Sequence, residues 1–95
     1  MPVLSEQDIQ KALRDLPSWT KSGSSIKRQF ELPDFKKAMV FVNQVAEAAE
    51  RANHHPDITI NYNKVTMSLT SHDSGGITQR DVRMAGEISR IFQRK

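Results

Sequence analysis

The sequence contains no cysteine and no long apolar run, and each absence excludes a class of protein. Without cysteine the chain cannot form disulfides, thiolate metal sites or a cysteine nucleophile. No apolar stretch approaches the roughly 20 residues that a membrane-spanning helix requires, so no membrane association is expected. Residues 1–6 lack the basic and then apolar pattern of a secretory signal, and we therefore expect a cytoplasmic protein.

Aromatic residues and blocks of one charge are also scarce. Aromatic residues make up 6% of the chain, and the net charge of +3 comes from basic residues scattered among acidic ones. Surfaces that bind nucleic acid usually combine a basic stripe with aromatic side chains, so direct nucleic-acid binding is not expected. The length of 95 residues predicts a single domain, 1–95, whose thin core self-association would help to stabilise.

Hydrophobic periodicity predicts three helices. The first begins at Ser5, a favourable N-cap, and ends before Pro17. The second begins at residues 33–34 and continues to about residue 52, with a long apolar stripe at helical spacing. The third begins at Thr78, where Asp81 three residues later completes a capping-box arrangement. Helical patterns therefore occupy both ends and the middle of the chain.

Two pairs of strands are predicted between these helices. The first pair covers residues 19–21 and 26–32, and the second covers residues 58–62 and 64–70. Asn63-Lys64 is the predicted hairpin turn of the second pair, because asparagine tolerates a left-handed conformation. The order α-β-β-α-β-β-α predicts an α+β domain. We expect a single four-stranded, mainly antiparallel sheet with three helices packed on one face.

One strand position breaks the apolar pattern. Arg28 shares a strand face with Ile26, Phe30 and Leu32, which are all apolar. An arginine there lies either at the edge of the sheet or over a polar pocket. We expect the edge.

The three histidines of the chain all fall between residues 54 and 72. His54 and His55 precede Pro56 where a helix ends and a strand begins. Because proline favours an extended conformation in the preceding residue, the two imidazoles are expected to point to different sides. His72 follows the neighbouring strand, and a hairpin brings the end of that strand close to residues 54–55. The topology therefore predicts a cluster of three imidazoles.

Such a cluster has three interpretations. Imidazoles titrate near neutral pH and can serve as acid–base catalysts, with carboxylates at Glu50, Asp73 and Asp81 nearby. Three imidazoles can also bind zinc, although adjacent histidines seldom bind one ion because their side chains diverge. The third interpretation is a set of surface histidines in a turn.

Two of the carboxylates also have structural interpretations. Glu50 is expected at the rim of the buried face of the second helix, where it either belongs to a site or forms a solvated pair with Arg51 or Lys64. Asp81 is expected to cap the third helix, and this role is compatible with a second role in a site.

The spacing of these residues resembles one family. Glu50, the unit His54-His55-Pro56, Tyr62, His72 and Asp81 resemble, in order, the signature of the pterin-4a-carbinolamine dehydratases. The similarity extends to Trp19 and to residues 30–35 and 62–65. Asn53 is one departure, because the family often has an acidic residue before the two histidines.

This resemblance implies dehydration of 4a-hydroxytetrahydropterins, which aromatic amino-acid hydroxylases form, to quinonoid dihydropterins and water. The reaction recycles the tetrahydrobiopterin cofactor and requires no metal and no cofactor. By the same resemblance, His54 and His72 transfer protons and His55 holds the substrate. The remaining implied site residues support these roles, by orienting imidazoles (Glu50, Asp81), by lining the pocket (Trp19) or by contacting the pterin edge through the backbone (Thr70, Ser71).

The resemblance also implies partners. Family members form homodimers or homotetramers, and relatives in animals act as a dimerisation cofactor for a homeodomain transcription factor. An alternative function is therefore a protein-binding module, with Met39, Val40 or Phe41 supplying an interface. A zinc hydrolase is a second alternative, and a role in pterin maintenance without a hydroxylase is a third.

Overall fold

A computed structural model describes residues 2–94 and shows the predicted order of helices and strands. The elements are α1 (Glu6–Leu13), β1 (Thr20–Ser22), β2 (Ser25–Glu31), α2 (Phe35–Ala52), β3 (Asp57–Asn61), β4 (Lys64–Leu69) and α3 (Gln79–Arg94). The strands form one sheet in the order β1-β2-β4-β3, and every neighbouring pair is antiparallel. The α+β prediction is therefore confirmed. Within the described residues, no helix is long and apolar enough to cross a membrane.

One face of the sheet is buried by the helices. Phe30 lies opposite Val65, and Ile26 lies opposite Leu69, so the apolar side chains of the two central strands share a face. Met67 lies between the two β4 residues on that face and is fully buried. Since side chains alternate along a strand, the other face carries the polar side chains of Lys27 and Gln29 in β2 and of their partners Ser68 and Thr66 in β4. This alternation positions α2 and α3 over β4, where they also pack against each other.

Aromatic rings fill the centre of this core. The Phe30 ring lies 5.0 Å from both Phe41 and Phe92, and Trp19 meets it edge-on at 6.1 Å between centroids. Phe41 is 2% exposed, so it is a core residue and cannot supply the interface that the sequence suggested. Val40, its neighbour on α2, is 50% exposed.

Arg28 does not lie on an edge strand, contrary to the sequence expectation. β2 lies inside the sheet, and Arg28 pairs across it with Met67. The guanidinium carbon lies 4.4 Å from the centroid of the Phe30 ring and 5.3 Å from that of Phe92. It donates a hydrogen bond to the Pro17 carbonyl at 3.3 Å. The flat guanidinium thus covers the aromatic cluster, and its partial burial lowers the pKa of Arg28.

The β3–β4 turn lies one residue earlier than predicted. Asn61 pairs with Lys64, so the two turn residues are Tyr62 and Asn63. Tyr62 takes the left-handed conformation with a φ of 56°. Asn63 instead binds the loop before α2, donating from Nδ2 to the Leu32 carbonyl at 2.9 Å and accepting from the Leu32 N–H at 2.9 Å. This long-range pairing between Leu32 and Asn63 fixes which residues form the β3–β4 turn.

Candidate active site

The C-terminus of α2 presents two of the histidines. Asn53 takes a left-handed conformation (φ 52°, ψ 41°), and its N–H donates to the Glu50 carbonyl at 3.2 Å. The next N–H, that of His54, reaches back to the Ala49 carbonyl at 3.1 Å. These two bonds form a Schellman motif, which ends a helix with a sharp change of direction. The chain therefore leaves the helix with His54 turned toward α3 and His55 toward solvent.

His54 is bound to Asp81. Its Nε2 lies 2.5 Å from Asp81 Oδ1, and the two side chains are 10% and 0% exposed. Because a carboxylate oxygen accepts hydrogen bonds, Nε2 is the protonated nitrogen in this contact. Within residues 2–94, Nδ1 of His54 has no hydrogen bond. The carboxylate thus fixes both the orientation of the ring and the nitrogen that can exchange a proton.

The same carboxylate holds the start of α3. Asp81 Oδ2 accepts from the Thr78 N–H at 2.8 Å, as the predicted capping arrangement requires. It also accepts from the Ser71 hydroxyl at 3.0 Å. Asp81 therefore caps α3 and contacts His54 at once.

A buried chain of hydrogen bonds joins the end of β4 to α3. The Arg80 N–H donates to Thr78 Oγ1 at 3.2 Å, and the hydroxyls of Thr78 and Ser71 lie 2.8 Å apart. Ser71 in turn donates to Asp81. Ser71 and Thr78 are 1% and 0% exposed, so this network is shielded from water. The Ser71 side chain consequently supports Asp81 rather than facing solvent.

His55 and Glu50 form an exposed pair. His55 Nε2 lies 2.5 Å from Glu50 Oε2, with side chains that are 55% and 75% exposed. Glu50 thus pairs with a histidine and with neither Arg51 nor Lys64, the two partners expected for a solvated glutamate. An exposed pair of this kind stabilises a fold by about 0–1 kcal/mol. The pair therefore contributes little to folding.

His72 lies in an exposed loop directly after Ser71. Ser71 pairs with Gly76 in an isolated bridge that closes the loop, and the imidazole of His72 forms no hydrogen bond to any described residue. His54 contacts Asp81 directly, and His72 adjoins the serine that binds the same carboxylate. The structure therefore brings the ends of α2 and β4 together around Asp81, but within residues 2–94 it does not join the three imidazoles in one hydrogen-bonded cluster.

Two further predicted residues make structural contacts. Trp19 is 4% exposed, and its indole N–H donates to Ser89 Oγ at 2.9 Å. Thr70 donates from Oγ1 to the Ser24 carbonyl at 2.6 Å. Neither side chain is hydrogen-bonded to a histidine within residues 2–94. Trp19 thus packs in the core, and Thr70 ties β4 to the β1–β2 turn.

A cleft of about 370 Å³ opens between α2 and α3, and His54 lines it. Its volume is within the range of small-molecule sites, about 300–1,000 Å³. Basic side chains dominate the rest of the lining, which also includes three apolar residues and one glutamate: Ala48, Arg51, Ala52, Arg80, Arg83, Met84, Glu87 and Arg90. Sequence reasoning missed these arginines as a group. Their spacing along α3 was the available signal, but it required knowing which helix faces α3.

The histidines and carboxylates are spread over several places. His54 and Asp81 are buried together, His55 and Glu50 are paired in solvent, and His72 is separately exposed. In the part of the chain from 2 to 94, no three such side chains converge in a way that would hold a metal ion.

Comparison with known proteins gives the same family as the motif. The family model described as pterin 4 alpha carbinolamine dehydratase matches residues 2–91. The chain belongs to this family. A relative from Koribacter versatilis, named provisionally as a pterin-4-alpha-carbinolamine dehydratase, is 54% identical over 94% of this chain and 95% of its own length. One with the same name from Roseiflexus sp. is 50% identical over 94% and 96%.

Solved structures of dehydratase-like proteins share the fold. A protein from Brucella melitensis, described as a transcriptional coactivator/pterin dehydratase, superposes with a TM-score of 0.90 at 36% identity. The match covers 94% of this chain and 97% of that one. A pterin dehydratase-like protein described as a RuBisCO assembly factor superposes with a TM-score of 0.68 at 18% identity, over 79% of this chain and 89% of that one. The second likeness concerns the fold alone.

Proposed function

We propose that this protein dehydrates 4a-hydroxytetrahydropterins to quinonoid dihydropterins, with histidines as acid and base. The single observation that carries the proposal is the buried contact between His54 and Asp81 beside an open cleft, in a chain of the pterin dehydratase family. The domain responsible is residues 1–95, since the family model spans nearly all of them. The reaction so proposed recycles a pterin cofactor.

The reaction needs two proton transfers. A proton delivered to the 4a-hydroxyl lets the C4a–O bond break and water leave. A second group removes the proton from N5, whose electron pair then forms the C4a–N5 double bond. Groups positioned for such transfers typically contribute about 10²–10⁴-fold in rate.

His54 is suited to the removal of a proton. Asp81 holds the proton on Nε2, which leaves Nδ1 of the neutral ring as an acceptor. Asp81 also stabilises the imidazolium that forms when Nδ1 takes the proton. We assign proton delivery to His72, whose imidazole is exposed next to Ser71, and substrate holding to His55 with Glu50. Thr70 is proposed to offer backbone groups to the pterin edge. The backbone N–H and carbonyl of Ser71 are already bonded within the 71–76 loop, so Ser71 is proposed to support Asp81 through its hydroxyl, and Trp19 to support the pocket from the core.

The test is the decay of a 4a-hydroxytetrahydropterin with and without the protein. His54→Ala and His72→Ala should each lower the catalysed rate at least about 100-fold, with unchanged circular dichroism. His54→Gln is the second variant if removal of the ring prevents folding. Unchanged turnover in both histidine variants contradicts the mechanism. Stoichiometric zinc in the purified protein would contradict the metal-free mechanism and favour the alternative of a zinc hydrolase.

A protein-binding role is a second candidate, favoured by two observations. The Brucella melitensis relative is described as a transcriptional coactivator as well as a pterin dehydratase. In addition, Phe35 and Val40 on α2 are 49% and 50% exposed, and apolar exposure of this kind suits self-association or a protein partner. Light scattering would show a homodimer or homotetramer. Binding of a pterin analogue without any dehydration would favour the binding module over the enzyme.

A further inference from the structure

The cleft beside His54 is lined by positively charged side chains that have no role in the proposed proton transfers. Four arginines line it, Arg51 from α2 and three from α3, against the single carboxylate of Glu87. Arg80, Arg83 and Arg90 are spaced at i, i+3 and i+10, which places them on one side of α3. The cleft is therefore a cationic groove that runs along the helix.

Two of these four arginines have no ion-pair partner among the described residues. Arg80 donates to Asp73 at 2.6 Å, and Arg90 contacts Glu87 at 3.4 Å. Within residues 2–94, Arg51 and Arg83 form no ion pair. Arg80 Nε is also buried and has no hydrogen-bond partner in the part of the chain that the structure describes. Guanidinium groups held near one another repel, and an anion between them removes that repulsion while accepting paired hydrogen bonds.

The groove begins at the proposed reaction centre. Asp81, which binds His54, follows Arg80 directly in the first turn of α3. With a rise of about 1.5 Å per residue, Arg83 lies about 4.5 Å and Arg90 about 15 Å further along the helix. Ala48 and Ala52 on the facing side of α2 are small, which leaves room for a ligand. A pterin ring at His54 can therefore extend a substituent over the arginines.

We propose that the cleft between α2 and α3 binds an anionic side chain of the pterin substrate, a phosphate or a carboxylate. The preferred substrate class is then pterins with a charged substituent at C6, in place of those with a neutral hydroxyalkyl chain. The planar, multiply donating guanidinium matches the oxygens of either anion. This inference rests on the proposed function.

The test compares the dissociation constants of three dihydropterins by titration. The probes are 7,8-dihydroneopterin, its monophosphate, and 7,8-dihydrofolate, which carries carboxylates. At least one anionic probe should bind about tenfold more tightly than the neutral one, since a hydrogen bond to a charged group is worth about 1.5–3 kcal/mol. Added salt should reduce this advantage. The monophosphate and folate arms distinguish the two anions.

Two double variants that change the net charge equally show whether the cleft arginines themselves cause the preference for an anionic probe. Arg83→Gln with Arg90→Gln should bring the ratio of neutral to anionic dissociation constants close to one. Arg14→Gln with Arg94→Gln removes the same charge outside the cleft and should keep the ratio. Equal affinity for all three probes, or an equal loss in both double variants, would overturn the inference. If the neutral pterin is still dehydrated, only the inference fails, whereas absence of any pterin binding or turnover removes the proposed function as well.

Discussion

His54 and Asp81 are joined by a 2.5 Å contact in which one carboxylate serves two elements. Oδ1 faces the imidazole at the end of α2, and Oδ2 accepts the Thr78 N–H at the start of α3. The orientation of the candidate catalytic ring therefore depends on the same group that begins a helix.

Replacement of Asp81 should affect activity and stability together. In Asp81→Asn, an amide faces three donors with only one acceptor oxygen, so we expect a loss of about 1–3 kcal/mol in the free energy of unfolding. Turnover should fall by more than about tenfold, because His54 loses the group that fixes its proton. Denaturant unfolding and the dehydration assay measure the two effects. Asp34→Asn, which alters the α2 cap bonded to the Lys37 N–H, is the control and should retain activity. Equal loss of activity in both variants would refute the role of Asp81.

Ser71 should matter for stability through a hydroxyl that water does not reach. Ser71→Ala removes the bridge between Thr78 and Asp81, and we expect a cost of about 1–3 kcal/mol because buried partners are left unsatisfied. Ser24→Ala, at an exposed turn, should change the unfolding free energy by less than about 0.5 kcal/mol. Chemical denaturation of the two variants side by side decides the question. A Ser71 variant as stable as the Ser24 variant would disprove the prediction.

The Asp73–Arg80 pair predicts an acid-dependent contribution to stability. The hydrogen bond from Arg80 lowers the pKa of Asp73 below its ordinary value. Because the folded pKa is the lower one, the stabilisation is complete above the unfolded value of about 3.9 and is lost as the pH falls through the folded pKa. Titration of the Asp73 carboxyl by NMR should show the lowered pKa, and Arg80→Gln should remove most of the shift, because Arg80 is its largest cause. Arg83→Gln should leave the titration as it was, and a shift that keeps its size after loss of Arg80 would require another cause.

Arg28 should contribute through packing more than through an ion pair. Arg28→Ala uncovers the rings of Phe30 and Phe92, and we expect a loss of about 1–2 kcal/mol. Lys27→Ala, one position away on the exposed face, should be nearly neutral. Thermal denaturation compares the two. Similar melting temperatures for both variants would show that the cation over the rings adds nothing.

The sequence predicted the order of elements well, because their patterns are local. Caps at Ser5 and Asp34 and the alternation around Met67 are visible within a few residues. The misplaced turn is different, since the position of Asn63 depends on Leu32, far away in the chain. Arg28 is a similar case, because the rings that receive it come from β2 and α3.

The candidate site was predictable only in part for the same reason. The motif includes both His54 and Asp81, and the capping box predicts the bond from the Thr78 N–H to Asp81 but not the contact with His54. The arginine groove needs residues of α2 and α3 to face one another, which no local pattern specifies. Ser71 is a further example, because its hydroxyl is buried and donates to Asp81, whereas the sequence predicted only a backbone contact with the substrate.

Asn53, which takes the left-handed conformation at the end of α2, is also the one departure from the family pattern. Among residues with a side chain, asparagine and aspartate adopt this conformation most readily, and β-branched residues do so at considerable cost. An aspartate and Asn53 are thus interchangeable as far as the backbone conformation is concerned. Asn53 therefore preserves the backbone conformation that ends α2 and directs His54 toward α3, and it differs from an aspartate only in lacking the charge.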